Sequence, residues 1–386
     1  MVAVPASTSF ADELELLRQT VRQLVQSRVE PQAMAHDQSG TFNTALLREL
    51  GELGLLGITI PEADGGAGMT ATASVIVHDE LAYSDPGFAL GYLAHALLFV
   101  NNFYWAASAE QRARYLPRVL AGTTVGAMGM TEPAVGTDVL GMQTTARKVG
   151  DGYVLNGRKT FITNGPEAGV ALVYAKLADR ITTFVVERGT PGFSAGPKID
   201  KLGMRASDTC PVYFEDVRVP QRHRIGQEGM GFMMQMLQFQ EERLCGAIGS
   251  VRGMERVIAA TIAYCKERQT FGRPLIANQV VHFRFAELQT EVEALRSLCY
   301  RAVEDYVGGA DVTLFASMAK LKAGRLSREV ADACVQYWGG MGFTWDNPAA
   351  RSYRDSRLLS IGGGADEIML GIICKLMGIL PGKERK

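Results

Sequence analysis

The spacing of apolar residues changes twice along this chain, and these two changes constrain its fold more than any other feature. Up to about Ala121 the apolar residues recur three and four positions apart, which predicts amphipathic helices. Short alternating runs of β-branched residues then follow, separated by Gly-rich turns, and predict an antiparallel sheet. From Gly229 the helical spacing returns in long runs. We therefore predict a mainly α fold with a β middle domain, in which the three domains are 1–122 (helical), 123–228 (antiparallel β) and 229–386 (helical).

The predicted order of elements and the charge exclude several classes of protein. Strands do not alternate with helices, and no GxGxxG or GxxxxGK[ST] segment occurs, so neither a dinucleotide-binding α/β sheet nor a P-loop is predicted. The 40 basic and 41 acidic residues nearly balance, which argues against a general nucleic-acid binder. The six cysteines form no CxxC pair and the five histidines lack ligand spacing, so we expect neither a disulfide framework nor a metal site.

Nothing in the sequence predicts export or membrane insertion. No apolar stretch approaches the ~20 residues of a membrane-spanning helix. Met1 to Phe10 lacks the basic and apolar regions of a secretory signal. The locally basic stretch from Lys383 to Lys386 is explained by a solvated tail. We therefore expect a cytoplasmic protein in a reducing environment.

Two loops of the predicted β-domain carry the residue types of a ligand site. Thr131 to Asp138 mixes hydroxyls with Pro and Gly where helices give way to strands, and such a loop can hydrogen-bond a planar polar ring system. Phe161 to Gly165 places an aromatic ring and a hydroxyl at the end of a hairpin. Ordinary turn chemistry also explains each loop when it is taken alone.

Two further segments lie beside predicted helices in the C-terminal half. Arg268, at the end of a long helix, could bind a pyrophosphate with its fork of donors, although the helix macrodipole also favours an arginine there. Gly362 to Gly364 directly precede an acidic helix start, where free amides suit an oxyanion or a flavin carbonyl. A flexible entry into a capped helix is the alternative interpretation of these glycines.

Taken together, these segments resemble the acyl-CoA dehydrogenase family, from about Leu14 to Met377. The motifs that keep the family's order are Thr131-Glu132-Pro133-x-x-Gly136-Thr137-Asp138, Phe161-Ile162-Thr163-Asn164, Arg268-x-Thr270-Phe271-Gly272 and Gln336-Tyr337-Trp338-Gly339-Gly340-x-Gly342. The resemblance implies an N-terminal helical domain, an antiparallel β-domain and a C-terminal four-helix bundle, assembled as a homotetramer. It also implies FAD as cofactor, an acyl-CoA thioester as substrate and electron-transferring flavoprotein as electron acceptor.

The same resemblance implies which residues contact the ligands. Those implied at the substrate are Thr137, Gln240, Arg243, Gly363 and Gly364. Those implied at FAD are Met128, Met130, Thr131, Gly136, Thr137, Phe161, Ile162, Thr163, Arg268, Phe271, Gln279, Gln336, Trp338, Gly339, Gly340, Ala365 and Glu367. The apolar stretch from Tyr92 to Tyr104 is expected at the closed end of the acyl pocket, where His95, Asn101 and Asn102 could tune its depth.

The implied reaction removes the proton α to the thioester carbonyl while the β-hydride passes to flavin N5. Most family members carry the carboxylate base just before the last helix, where this chain has Gly363. The isovaleryl-CoA and long-chain types instead carry a Glu immediately before an Arg on the first long helix of the C-terminal bundle, which here is Glu242 before Arg243. Helical periodicity alone does not separate Glu242 from Glu241, so the choice of Glu242 as base rests on the family position.

In the family, a base on this helix goes with branched or long acyl chains, so we expect a branched, medium or long acyl substrate. The segment from Gly362 to Glu367 also looks like that of citronellyl-CoA-type enzymes. Polarisation of the thioester does not need a side chain at Gly363, because in the family a backbone N–H at this position and a flavin ribityl hydroxyl supply it. Three alternatives stay open: a carrier-protein thioester as substrate, an oxygen-using oxidase, and a scaffold of this fold without catalysis.

Overall fold

The computed structural model describes residues 10–380. The basic segment Lys383 to Lys386 and most of Met1 to Phe10 lie outside this range. Within it, helices are followed by a β region and then by helices again, so the predicted fold class is confirmed. None of the helices between residues 10 and 380 combines the length and hydropathy that crossing a bilayer requires.

The N-terminal region of the described chain is built from seven α-helices. The side chains of Asn43 and Asp85 each accept a hydrogen bond from a backbone N–H in the following first turn, at 2.9 and 3.1 Å, and so start α3 and α5. Two π-helical segments, Val25–Val29 and Ala96–Asn101, lie between α-helices. The helices are α1 (Phe10–Leu24), α2 (Glu30–Ser39), α3 (Thr44–Glu52), α4 (Ala71–Ser84), α5 (Pro86–His95), α6 (Asn102–Ala106) and α7 (Ala109–Leu120).

The middle region is one sheet with two unexpected parallel pairings. Its strands are β1 (Val125–Gly129), β2 (Thr145–Val149), β3 (Gly152–Thr163), β4 (Ala168–Leu177), β5 (Arg180–Glu187), β6 (Phe193–Ala195), β7 (Thr209–Pro220) and β8 (Arg224–Ile225). The strand order is β6-β7-β3-β2-β4-β5-β8, with β1 beside β4. Neighbours pair antiparallel as predicted, except that β1 and β2 each run parallel to β4. Neither β1 nor β2 is joined to β4 by a hairpin, because other strands lie between them in the chain. Strands connected in this way can run parallel to each other.

The C-terminal region packs long helices around an apolar core. Its elements are α8 (Gly231–Glu267), a short hairpin of β9 (Gln269–Thr270) and β10 (Arg273–Pro274), α9 (Gln279–Val307), α10 (Thr313–Trp338), α11 (Pro348–Ser356) and α12 (Asp366–Leu376). The core is lined by small and branched side chains such as Val251, Leu288 and Ala319, each fully buried. Such side chains let the long helices approach closely along their length.

Helix α8 is the element that joins the three regions. Its residue Glu241 is hydrogen-bonded to Asn101 at the end of the second π-helical segment, and Gln235 to Tyr174 on β4. On another face, Gln240 accepts a hydrogen bond from the backbone N–H of Val312, just before α10, at 2.7 Å. The first half of α8 therefore lies where the helical regions and the sheet meet.

Candidate active site

A buried ion pair holds the loop that follows β1. Lys159 on β3 has no exposed side-chain surface, and its Nζ lies 2.8 Å from Oε1 of Glu132 and 3.1 Å from the backbone oxygen of Met130. Glu132 also accepts hydrogen bonds from the backbone N–H groups of Gln143 and Thr144, at 2.6 and 2.8 Å. Burial lowers the pKa of Lys159 to about 8. These bonds tie the loop to the sheet at both of its ends.

The two predicted flavin loops of the β region lie side by side. The backbone N–H of Thr160 donates to the backbone oxygen of Thr131 at 2.8 Å, which brings the segment 161–163 next to the segment 128–137. Phe161 has φ of 57° and is 64% exposed, while Ile162 is buried beneath it. Gly136 and Thr137 are exposed in the neighbouring loop. An open aromatic ring, a hydroxyl and free backbone here fit a planar ring system such as a flavin.

A second group of predicted flavin residues gathers where α8 ends. Trp338 stacks on Tyr264 with ring centroids 4.4 Å apart, and the Tyr337 hydroxyl donates to the backbone oxygen of Val280 at 3.4 Å. The residues of this group are Arg268, Phe271, Gln279, Gln336, Trp338, Gly339 and Gly340. Within the described range, the Arg268 guanidinium has no hydrogen bond or ion pair, and Phe271 is fully exposed.

The backbone of this second group is open to a ligand. A Cβ built on Gly339 or on Gly340 would meet no atom within 4 Å, and Gly339 has φ of 58°. Such glycines allow the backbone to approach a phosphate closely, and Arg268 adds a cation that no side chain of residues 10–380 pairs. The residues present therefore fit the pyrophosphate-containing part of a dinucleotide.

These two groups of one chain lie far apart. Met128 packs in one cluster with Phe239, which places the first group beside the start of α8. Arg268 follows the end of α8, 26 residues beyond Glu242, which at 1.5 Å per residue is about 39 Å along the helix axis. One chain therefore does not bring all the predicted flavin residues into a single site.

Glu242 faces the glycine turn that precedes α12. A Cβ built on Gly363 would lie 3.8 Å from Oε1 of Glu242. Gly363 and Gly364 have φ of 63° and 95°, a left-handed conformation that favours glycine. The two positions at which members of the family carry the base, Gly363 and Glu242 in this chain, therefore lie next to each other. Of the two, only Glu242 has a carboxylate. The structure thus brings Glu242 and Gly363 together, while the role of Glu242 as base stays a prediction.

Burial dominates the electrostatics of the Glu242 carboxyl. Its Oε2 is buried and has no hydrogen-bond partner among the described residues. Burial raises the pKa of Glu242 to about 7, while the positive charges of Arg243 and Lys320 act in the opposite direction. A carboxyl whose pKa lies near neutral pH can accept a proton and release it again, as a catalytic base must.

Lys320 on α10 is a site residue that the sequence analysis missed. Its side chain is almost fully buried, and its Nζ donates to the backbone oxygen of Gly364. Burial lowers the pKa of Lys320 to about 8, against the charges of nearby acids. In the sequence, the available signal was a lysine with alanine four and one residues before it and three residues after it, at Ala316, Ala319 and Ala323, all of which are buried in the structure. A charged residue on such an apolar face is rarely buried without a partner.

The remaining predicted ligand residues take varied positions. Arg243 is 8% exposed and its guanidinium lies 5.2 Å from the ring centroid of Phe239. Gln240 uses its Oε1 on Val312, as described for α8. Ala365 is the residue before α12, and Glu367 is exposed in the first turn of that helix. Their roles at substrate or flavin stay predictions.

A narrow crevice opens beside Glu242. It leaves no room for a water-sized sphere and is lined by Leu97, Leu98, Asn101, Asn102, Gln238, Glu241 and Glu242. Asn101 and Asn102, expected at the closed end of the acyl pocket, do line it. His95 does not, because its ring is buried between the backbone oxygen of Val119 and the backbone N–H of Gly126, at 2.9 Å each.

Comparison with known proteins identifies the same family over most of the described chain. Family models match at residues 11–123 (acyl-CoA dehydrogenase, N-terminal domain), 127–217 (middle domain) and 229–378 (C-terminal domain). The chain is 36% identical to mitochondrial isovaleryl-CoA dehydrogenase of Oryza sativa subsp. japonica, covering 95% of this chain and 92% of the relative. It is also 36% identical to mitochondrial long-chain specific acyl-CoA dehydrogenase of Sus scrofa, covering 95% and 86%. A solved glutaryl-CoA dehydrogenase from Mycobacterium smegmatis in complex with FADH2 matches with TM-score 0.91 at 30% identity, covering 96% of each chain.

Proposed function

Because this chain belongs to the acyl-CoA dehydrogenase family and is an FAD-dependent oxidoreductase of acyl-CoA thioesters, we propose that Glu242 is the base that removes the α-proton of the substrate. The observation that carries this proposal is the buried Glu242 carboxyl facing the turn at Gly363. FAD, when bound, supplies the acceptor for the β-hydride. Relatives that are dehydrogenases by name do not favour the carrier-protein, oxidase and scaffold alternatives.

The glycine turn is the proposed site of the thioester carbonyl. The backbone N–H of Gly363 would donate to the carbonyl oxygen and stabilise the negative charge that develops there as the proton leaves. Lys320 holds this turn by donating to the backbone oxygen of Gly364, and its charge favours ionised Glu242. Lys320 is therefore a proposed positioning residue, which acts through the turn and through the base.

The rate of flavin reduction should rise with pH through the neutral range. Glu242 takes a proton only when it is ionised, so below its pKa of about 7 the rate should fall about tenfold per pH unit. In Lys320→Met, loss of the positive charge should raise the pKa of Glu242 and shift the midpoint to higher pH. Stopped-flow pH profiles of kcat/KM measure both effects.

Lys322→Met is the matched control for this profile. Lys322 lies on the same helix, but it is exposed and pairs with Glu291, so its removal should leave the midpoint in place. A rate that does not change with pH across the neutral range would contradict the assignment of Glu242. An unshifted midpoint in Lys320→Met would contradict only the electrostatic role of Lys320.

We also propose that two copies of the chain complete each flavin site within a homotetramer. The support is the separation of about 39 Å between Glu242 and Arg268 along α8. Met128 to Thr137 and Phe161 to Thr163 of one copy would hold one part of FAD. Arg268, Gln279 and the Gly339–Gly340 turn of another copy would hold the pyrophosphate part.

Mixed oligomers should test the shared site. Glu242→Gln and Arg268→Ala are each expected to be inactive, the first without its base and the second with weakened FAD binding. If the two variants are co-expressed and share sites, a wild-type Glu242 can meet a wild-type Arg268, and about a quarter of the sites in random pairs should be intact. Activity per protein chain of the purified mixture, relative to the wild type, measures this. No recovery in a mixture shown to contain both variants would contradict the shared site.

Two finer assignments complete the proposal. Electron-transferring flavoprotein is the proposed acceptor, in line with the family. The proposed location is the cytoplasm, supported by six cysteines that all remain free thiols, which is typical of a reducing compartment.

A further inference from the structure

The glycine turn that precedes α12 is held at both of its ends but not in its middle. At its start, the backbone N–H of Gly362 donates to the backbone oxygen of Leu358 at 2.8 Å. At its end, the backbone oxygen of Gly364 accepts from Nζ of Lys320. Between these points, the backbone N–H of Gly363 has no acceptor within residues 10–380. The direction of this free N–H therefore depends on how firmly the two ends of the turn are fixed.

Asp366 ties the chain just after the turn to α10. It is the first residue of α12 and is 7% exposed. Its Oδ2 lies 3.3 Å from Nη2 of Arg328 and 3.7 Å from Nε of Arg325, and both arginines are on α10. Helix α10 therefore holds this end of the turn at two points, the backbone of Gly364 through Lys320 and the side chain of Asp366 through the arginines.

The face of α10 toward the turn has a gap between two cations. Lys320, Gly324 and Arg328 follow one another at intervals of four residues, which places them on one face of the helix. A Cβ built on Gly324 would lie 2.8 Å from Oγ of Ser360 and 3.2 Å from Oδ1 of Asp366. The missing side chain thus lets the segments on both sides of the turn pack directly against α10.

The charge of Asp366 also acts on Lys320. Burial lowers the pKa of Lys320 to about 8, and the negative charge of Asp366 is the strongest effect in the opposite direction. From α8, Arg243 lowers the pKa of Lys320 further and Glu242 raises it. A charged donor makes a stronger hydrogen bond than a neutral one. Asp366 therefore strengthens the bond from Lys320 to the backbone oxygen of Gly364.

We propose that Asp366 is a positioning residue of the reaction, which fixes the end of the glycine turn through Arg328 and Lys320 so that the N–H of Gly363 points at the thioester carbonyl oxygen. The inference rests on the proposed function, because it takes this N–H as the donor to the carbonyl. Asp366 acts through the turn and does not touch the substrate. A role at the start of α12 alone, where an acid is favoured by the helix macrodipole, would stabilise the helix without changing the carbonyl.

The first test measures the polarisation of the carbonyl directly. Octanoyl-CoA that is isotope-labelled at its thioester carbon is bound to FAD-loaded Glu242→Gln, which should not turn it over. Difference infrared spectroscopy then gives the carbonyl stretching frequency, which a hydrogen bond lowers relative to the free thioester. Adding Asp366→Asn, which keeps the size of the side chain and removes its charge, should remove most of this downward shift.

The second test measures the rate of flavin reduction by octanoyl-CoA. With Glu242 intact, Asp366→Asn should lower kcat about 10- to 100-fold, because a small misplacement of a donor is costly in the transition state. KM should change little, because the bond to the carbonyl oxygen strengthens only as negative charge develops there. Glu329→Gln is the matched control: this exposed acid of α10 pairs with Arg284, so kcat and the carbonyl shift should stay as they are.

A double variant, Arg325→Met with Arg328→Met, removes both partners of Asp366 and decides the question if Asp366→Asn does not fold. The two arginine side chains are 54% and 41% exposed, so the fold should tolerate their loss. An unchanged carbonyl shift in the variants that bind FAD, whatever their kcat, would overturn the inference and leave the base assignment intact. An equal loss of the shift in Glu329→Gln would also overturn it.

Failure of the proposed function would give different results. If no acyl-CoA reduces the flavin of the wild type, the proposed function fails, and the inference with it. If the carbonyl frequency in Glu242→Gln equals that of the free thioester, the glycine turn does not bind the carbonyl, and the inference fails for that reason.

Discussion

Replacing Glu242 with Gln should lower the rate of flavin reduction by an acyl-CoA by about 10⁴-fold, the upper range for the loss of a positioned general base. The amide has the same size as the carboxyl but cannot accept the α-proton. The buried Oε2 of Glu242 has no hydrogen-bond partner in the part of the chain that the structure describes, so the substitution should leave the fold and the bound FAD in place. The size of the expected loss follows because Oε1 of Glu242 is the one carboxylate atom of the described residues within 4 Å of a Cβ built on Gly363.

An anaerobic titration of the purified yellow protein measures this loss. Isovaleryl-, octanoyl-, palmitoyl- and citronellyl-CoA are added in turn while bleaching of the flavin is followed, and the best thioester defines the chain length and branching. Glu255→Gln, on the same helix but paired with Arg252 and Arg296, is the control and should bleach like the wild type. Loss of bleaching in Glu241→Gln, with bleaching retained in Glu242→Gln, would move the base to Glu241.

Lys159→Met should lower the free energy of unfolding by about 3–5 kcal/mol, the usual result of removing one partner of a buried ion pair. The substitution leaves Glu132 buried with only the backbone N–H groups of Gln143 and Thr144 as donors. Because the same pair ties down the loop after Met130, flavin binding should weaken as well. Urea denaturation followed by far-UV circular dichroism, at saturating FAD, measures the stability.

The control for this prediction is Lys148→Met. Lys148 pairs with Glu228 at 2.9 Å, but its side chain is 62% exposed, so the loss should stay below about 1 kcal/mol. A loss in Lys159→Met no larger than in Lys148→Met would show that the buried pair does not hold the loop. Normal FAD affinity in Lys159→Met would show that the loop after Met130 does not contribute to flavin binding.

The fold was largely predictable from local patterns, and the site only in part. The change of period near Ala121 and again near Gly229 predicted the three regions, because helices and strands repeat apolar residues at different intervals. The parallel pairing of β1 and β2 with β4 was not predicted, since neighbours in a sheet need not be neighbours in the chain. Nothing in the strand around Lys159 indicated that this lysine would be buried against Glu132.

The sequence by itself determined the order of the domains, the family motifs and the pair of acids at the start of α8, because each of these is a property of consecutive residues. Only the tertiary structure decided which acid faces Gly363, that Lys320 holds the glycine turn, and that Arg268 lies about 39 Å from Glu242 in the same chain. The physical reason is that burial and the approach of distant segments set the direction and charge of a side chain. The direction of a side chain and its charge therefore cannot be derived from the spacing of neighbouring residues in the sequence.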